Sequence, residues 1–215
     1  MKKNNTKLIV FDVDGVLLDN KMGGFKDILV LLGKEKEVQR IDEEYQRKKF
    51  TGPWGLKELA DLYQGFSKDK LKKVAFNYCK QNLMKGARET LEELKKKSYL
   101  VGALSSNPQF VMDVLSEILP LDFCEGTRLE FEGGIAIGRI LKKVDRYRKA
   151  EILKEKIKQF GIKKKNVTMV GDSLTDLPMI EEAGLFIAFN AKEEVKEKAD
   201  IIVGRKDLKE ILKLI

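Results

Sequence analysis

Histidine is absent from this chain of 215 residues. Its absence removes Ser–His–Asp triads, His-ligated zinc and phosphohistidine carriers, and leaves carboxylates, hydroxyls and lysines to do any chemistry. Cysteine is scarce. Cys79 and Cys124 are the only two, they match no metal-binding spacing, and so low a content suits a reduced compartment, which makes the cytoplasm the expected location. No apolar run is long enough to cross a membrane. The basic start Met1-Lys2-Lys3-Asn4-Asn5 precedes an apolar stretch that is short and interrupted by aspartate, so it is not read as a signal peptide. Internal repeats and low-complexity segments are missing as well.

What is present is an ordinary globular composition, with 43% apolar residues and enough length for one generous core plus a smaller attached unit. The 42 basic residues outnumber the 34 acidic ones, and the net charge of +8 is compatible with nucleic acid, an anionic membrane surface or a phosphorylated metabolite. Most of that charge is interleaved, as in Glu92-Glu93-Leu94-Lys95-Lys96-Lys97, which reads as solvated helix surface with ion pairs.

One stretch organises the rest. Leu8-Ile9-Val10-Phe11 is a bulky apolar run of the kind buried on both faces in the middle of a parallel sheet, and it ends abruptly in Asp12-Val13-Asp14-Gly15. Gly15 lets the chain leave the strand sharply and puts both carboxylates at the carboxyl edge of the sheet, where open α/β folds bind ligands. Adjacent carboxylates repel, so the pair makes sense if a cation neutralises one and the other shuttles a proton, which describes metal-assisted attack on a phosphoryl group. On this segment alone, two solvated aspartates capping a following helix remain an equal reading.

From Phe25 to about Met84 the pattern is helical: Phe25, Ile28, Leu29 and Leu32 recur at helical spacing, Gly52-Pro53 interrupts, and a further helix over 68–80 starts after the N-cap candidate Ser67. Gly23-Gly24 and Lys85-Gly86 are plausible hinges, so residues 20–84 are expected to form a helical insert in a core made of 1–19 and 85–215. Beyond Gly86 helix and strand alternate, which predicts a doubly wound parallel α/β sheet. The expected strands are Leu100–Leu104, a short one at Phe123, a hairpin of 128–131 and 135–138 around Glu132-Gly133-Gly134, then 167–170, 185–189 and 201–203. Pro108 suits the first turn of a helix ending near Leu119, and a long helix is expected over 147–160.

Three strands thus end in polar clusters at one sheet edge: Asp12/Asp14, Ser105/Ser106 and Asp172/Asp176. Lys149, at the start of a helix, is a candidate to point its ammonium into the same crevice. Taken singly, Ser105 and Asn107, and likewise Asp172 and Asp176, also read as helix caps, and Lys149 as one lysine among many.

In this order and spacing the segments resemble the haloacid dehalogenase superfamily of phosphatases, over essentially the whole chain. The matching residues are Phe11-Asp12-Val13-Asp14-Gly15-Val16, Leu104-Ser105, Lys149 and Gly171-Asp172-Ser173-Leu174-Thr175-Asp176. The helical insert after the first motif, and the tail from Ala183 to Lys192, make the chain most similar to the phosphoserine phosphatase branch. The resemblance implies that Asp12 is a nucleophile forming an aspartyl phosphate and Asp14 the acid and then the base. It further implies Mg²⁺ held by Asp12, the Asp14 carbonyl and Asp172 with support from Asp176, and phosphate oxygens bound by Ser105, Ser106 and Lys149.

The insert departs from that branch. Where a glutamate would hold the substrate amine stands Lys21, and where an arginine would hold its carboxylate stands Leu59. Losing two charge-assisted contacts costs roughly ~1.5–3 kcal/mol of recognition each. The expected activity is therefore Mg²⁺-dependent hydrolysis of a small phosphorylated metabolite other than phosphoserine, with Phe50 and Trp54 offering an apolar or stacking surface beside Lys21. Phosphoserine phosphatase with a rearranged clamp, for instance through Arg40 or Arg47, is the alternative. A nucleic-acid-binding or scaffolding protein on the same fold is a weaker one, since no aromatic-basic motif accompanies the charge.

Overall fold

In a computed structural model, which describes residues 7–48 and 55–215, strands β1 (Leu8–Phe11), β2 (Leu100–Pro108), β3 (Phe123–Glu132), β4 (Ile135–Lys142), β5 (Val167–Gly171), β6 (Leu185–Phe189) and β7 (Ile201–Val203) form one sheet. Its order is β4-β3-β2-β1-β5-β6-β7, and every pair is parallel except β3 with β4. The strand with the unbroken apolar run is therefore central. All four of its side chains are 0% exposed, and they alternate between two cores. Leu8 and Val10 pack in one apolar cluster with Ile152, Leu153 and Met179, while Ile9 and Phe11 pack in the other with Leu91, Leu94 and Leu115. Burial on both faces is what a continuous β-branched and aromatic run requires.

Between β1 and β2 lie α1 (Gly24–Leu31), α2 (Glu35–Lys48), α3 (Leu56–Asp61), α4 (Lys68–Asn82) and α5 (Ala87–Lys96). Helix α4 starts where the sequence indicates, with Ser67 Oγ accepting the Lys70 N–H at 3.2 Å. Leu59, Tyr63, Leu71 and Ala75 of this region are fully buried in the same cluster as Ile9 and Phe11. The chain at 65–68 is also fastened to the tip of the β3–β4 hairpin, through Gly65 N–H to Ala136 O and Lys68 N–H to Gly134 O, each 2.9 Å. Phe50 and Trp54 lie outside the described residues. No helix among the described residues is long and apolar enough to cross a membrane.

The remaining helices are α6 (Gln109–Ile118), α7 (Arg146–Phe160), α8 (Leu177–Ile180) and α9 (Glu193–Lys196). Two local expectations are corrected. Strand β2 continues past Leu104 to Pro108, which sits at the cap position before α6 with extended ψ of 140° and not in its first turn. Residues 123–132 form one strand, where the sequence suggested a short strand followed by a separate hairpin arm. Both differences have one cause. Gly126 is an in-strand glycine whose missing Cβ would lie 2.5 Å from Asn107 O, so β3 approaches the end of β2 closely and the two extend together through the pair Pro108 and Thr127.

Candidate active site

Asp12 follows β1 directly and is still held in the sheet, its N–H donating to Val170 O at 2.9 Å. Three residues later the chain turns at Gly15 with φ of +77°, and a Cβ there would lie 2.2 Å from Asp172 Oδ2. Glycine is thus required twice over, by the left-handed backbone and by the approach of the loop after β5. That loop is shaped by Asp176, whose Oδ2 accepts the N–H groups of Asp172 and Ser173, each at 3.2 Å, and the Ser173 hydroxyl. Asp145 starts α7 by accepting the N–H groups of Tyr147 and Arg148, and one turn on Lys149 reaches into the sheet edge.

Lys149 is 3% exposed, and its Nζ donates to Asp12 Oδ1 at 2.8 Å and to Asp176 Oδ1 at 3.1 Å. Ser105, also buried, accepts the Asn107 N–H on its Oγ at 3.1 Å, an i to i+2 turn that leaves the hydroxyl proton free to donate. A cavity of ≈ 280 Å³ is lined by Asp12, Asp14, Ser105, Ser106, Lys149 and Asp172, together with Asn20, Lys21 and Thr175. Asp176 lies beneath it, fully buried. The groups that the sequence distributes over four segments are thus in one crevice.

Four carboxylates share this crevice with one buried ammonium. Burial raises the Asp12 carboxyl well above the ordinary carboxylate range, and Asp176, Asp172 and Asp14 add to the rise against the pull of Lys149. Asp172 is pushed up to about 7, by burial first and then by Asp176 and Asp14. For Lys149, burial works to lower the value, but Asp12 and Asp176 outweigh it and hold the ammonium above its usual range. The site is short of positive charge. Oxygens of Asp12, Asp172 and Asp176 lie within 4.8 Å of one another, and Asp172 forms no ion pair among the described residues. An all-oxygen donor set with surplus negative charge fits a hard divalent cation such as Mg²⁺.

The specificity positions fare differently. Lys21 is exposed at the rim of the crevice and also borders a second cavity of ≈ 880 Å³ between α1, α2 and α4. Leu59 is fully buried and lines neither cavity. Arg47 lines the larger cavity; Arg40 lines neither. Sequence reasoning missed Asn20, Tyr78 and Asp27, which form a hydrogen-bonded chain leading away from Asp14. It saw Asn107 only as a cap. No spacing rule joins Asn107 to Asp14 across 93 positions; only the fold does.

The model of the haloacid dehalogenase-like hydrolases matches residues 6–184. Phosphoserine phosphatase of Methanocaldococcus jannaschii is 34% identical over 210 residues, covering 97% of both chains. That of Archaeoglobus fulgidus is 35% identical over 203 residues and 94% of this chain, which spans 58% of the relative's length. A solved structure of a phospho-aspartyl intermediate analogue of phosphoserine phosphatase superposes with a TM-score of 0.81 at 34% identity, covering 98% of this chain and 99% of that one. The family match, the central strand ending in Asp12 and Asp14, and the converging lysine and aspartates agree, and the chain belongs to the haloacid dehalogenase-like hydrolases, on the branch whose named relatives are phosphatases.

Proposed function

We propose that the protein is a Mg²⁺-dependent phosphomonoesterase that forms an aspartyl phosphate on Asp12 and acts on a small phosphorylated metabolite. The observation that carries the proposal is the buried bridge from Lys149 to Asp12 and Asp176 at the floor of a crevice that also holds Ser105 and Asp14. Lys149 fixes Asp12 Oδ1, which leaves the other oxygen to attack phosphorus. An oxygen–phosphorus bond forms to Asp12 as the ester oxygen leaves, and Asp14 supplies the proton that the departing alkoxide needs. Asp14 then takes a proton from water, whose oxygen attacks the phosphorus and returns Asp12 as a free carboxylate. Ser105, the Ser106 amide and Lys149 bind the phosphoryl oxygens where negative charge develops. Asp12, the Asp14 carbonyl and Asp172 would hold the Mg²⁺, which would offset carboxylate charge and polarise the phosphoryl group. Residues 20–84 serve as the cap over a core of 1–19 and 85–215.

Lys21 at the rim argues against a substrate with an ammonium group near the phosphate, and the buried Leu59 offers a carboxylate nothing to pair with. The names of the relatives support the second reading, phosphoserine phosphatase with a different clamp. Steady-state kinetics under saturating Mg²⁺ separate the two. Sugar phosphates, phosphoglycolate and an aryl phosphate are expected to exceed phosphoserine in kcat/KM; phosphoserine as the best substrate refutes this reading of the cap, and no phosphate release from any of them refutes the phosphatase proposal.

A further inference from the structure

Helix α1 begins at Gly24, and its N-cap residue Gly23 has no side chain to satisfy the first N–H groups. Two side chains from the sheet edge do so instead. Asp14 Oδ1 accepts the Gly24 N–H at 3.1 Å, and Asn107 Oδ1 accepts the Phe25 N–H at 3.0 Å. The two caps are themselves joined, because Asn107 Nδ2 donates to Asp14 Oδ1 at 3.0 Å. Asn20 Nδ2 donates to the same oxygen and to the Tyr78 hydroxyl at 2.9 Å, which donates in turn to Asp27 Oδ2 at 3.0 Å. Side chains at 23 and 24 would crowd the same two groups, since a Cβ on Gly23 would lie 3.0 Å from Asp14 Oδ2 and one on Gly24 3.0 Å from Asn107 Oδ1.

One oxygen of Asp14 is therefore saturated by three donors, and two of those donors come from residues 20–24 at the start of the helical insert. We propose that Asn107 and Asn20, the latter backed by Tyr78, are positioning residues that fasten Asp14 Oδ1 to the start of α1, so that Oδ2 alone carries the proton delivered to the leaving group. The inference rests on the acid role proposed for Asp14. A carboxyl with two free oxygens can rotate and take its proton to either; a carboxyl with one oxygen fully occupied presents the other in one orientation. The same bonds make the acid dependent on the seating of α1, whereas Asp12 is held by Lys149 of α7 and does not depend on it.

The test is the leaving-group dependence of kcat/KM, which reports the steps up to departure of the alcohol. An alkyl phosphate needs the proton and p-nitrophenyl phosphate does not. Asn107→Asp keeps the acceptor for Phe25 but turns the donor to Asp14 into a repelling acceptor; Asn20→Leu removes a donor; Tyr78→Phe keeps the ring in place and removes only the hydroxyl. For Asn107→Asp and Asn20→Leu, kcat/KM toward the alkyl phosphate is expected to fall about 10- to 100-fold, while that toward p-nitrophenyl phosphate changes less than about 3-fold, with Tyr78→Phe showing the same selectivity to a smaller extent. Equal losses on both substrates, or no loss on either, overturn the proposal, and if a buried variant does not fold, Tyr78→Phe decides alone. Asp14→Asn is the control. If it too lowers both substrates equally, the acid assignment fails; if it is selective and the three variants are not, only the positioning role fails.

Discussion

Asp12 and Asp14 are two residues apart, yet the structure gives them opposite surroundings: Asp12 is buried against an ammonium, and Asp14 is held by amide and backbone donors. That contrast suits one to attack and the other to exchange protons. Asp12→Asn is expected to abolish turnover, because an amide neither attacks phosphorus nor ligates a hard cation; a substantial residual rate counts against it. Asp14→Asn is expected to slow hydrolysis of alkyl phosphates by roughly 10²–10⁴-fold. Asp172 sits at the site edge with no ion-pair partner among the described residues, so Asp172→Ala is expected to weaken Mg²⁺ activation without lowering the melting temperature of the metal-free protein. A Mg²⁺ titration beside a melt checks this, and a mutant that simply unfolds contradicts it. At this scale the carboxylates and Ser105 were legible because short motifs carry them. Lys149 was picked out by its place at a helix start and by the family resemblance, while taken singly it read as one lysine among many, since what sets it apart physically is burial against Asp12 and Asp176.

Elements aim these residues. Lys149 reaches the crevice because α7 starts at the right place, and Asp145 sets that start by binding two N–H groups. Asp145→Ala is expected to destabilise the protein by about 0.5–2 kcal/mol, read as a lowered melting temperature, with a loss of kcat larger than any change in KM. An unchanged melt and kcat contradict this role for the cap. Between β2 and β3, Gly102 has no space for a side chain, since a Cβ would meet the Phe123 ring at 2.1–2.5 Å. The strands and helices around these points follow the sequence closely, because apolar periodicity and capping residues are local signals. Where local signals misled, a long-range approach decided: residues 123–132 read as a short strand and a separate hairpin arm but form one strand, because Gly126 allows a close contact with Asn107 that only the paired strands create. The hydrogen bonds around Asp14 were illegible for the same reason, being made by residues from three separate elements.

For the whole molecule, the clustered carboxylates are a liability until a cation joins them. Asp172 rises from the ordinary 3.8 to about 7 in the folded protein, so across that window the folded state binds more protons than the unfolded one. The sign follows: without metal, this contribution lowers stability as pH rises from about 4 to 7, and the loss is complete above it. Mg²⁺ binding to the deprotonated cluster relieves the repulsion, so the rise in melting temperature on adding Mg²⁺ is expected to be larger at pH 8 than at pH 5, and an equal or reversed difference refutes the metal assignment. On the proposed reading, charge at the rim acts on a different quantity, substrate choice, where Lys21 would disfavour an ammonium. The fold class was legible from alternating helix and strand, whereas the preferred substrate was not, because it depends on which side chains of the helical insert face the crevice. The covalent intermediate tests the account most directly. Quenching the enzyme with acid during turnover with Mg²⁺ and mapping its peptides by mass spectrometry is expected to find a phosphoryl group on Asp12, absent in Asp12→Asn and absent without Mg²⁺. Sustained turnover with phosphate on another residue, or with none on the protein by reductive trapping as well, contradicts it.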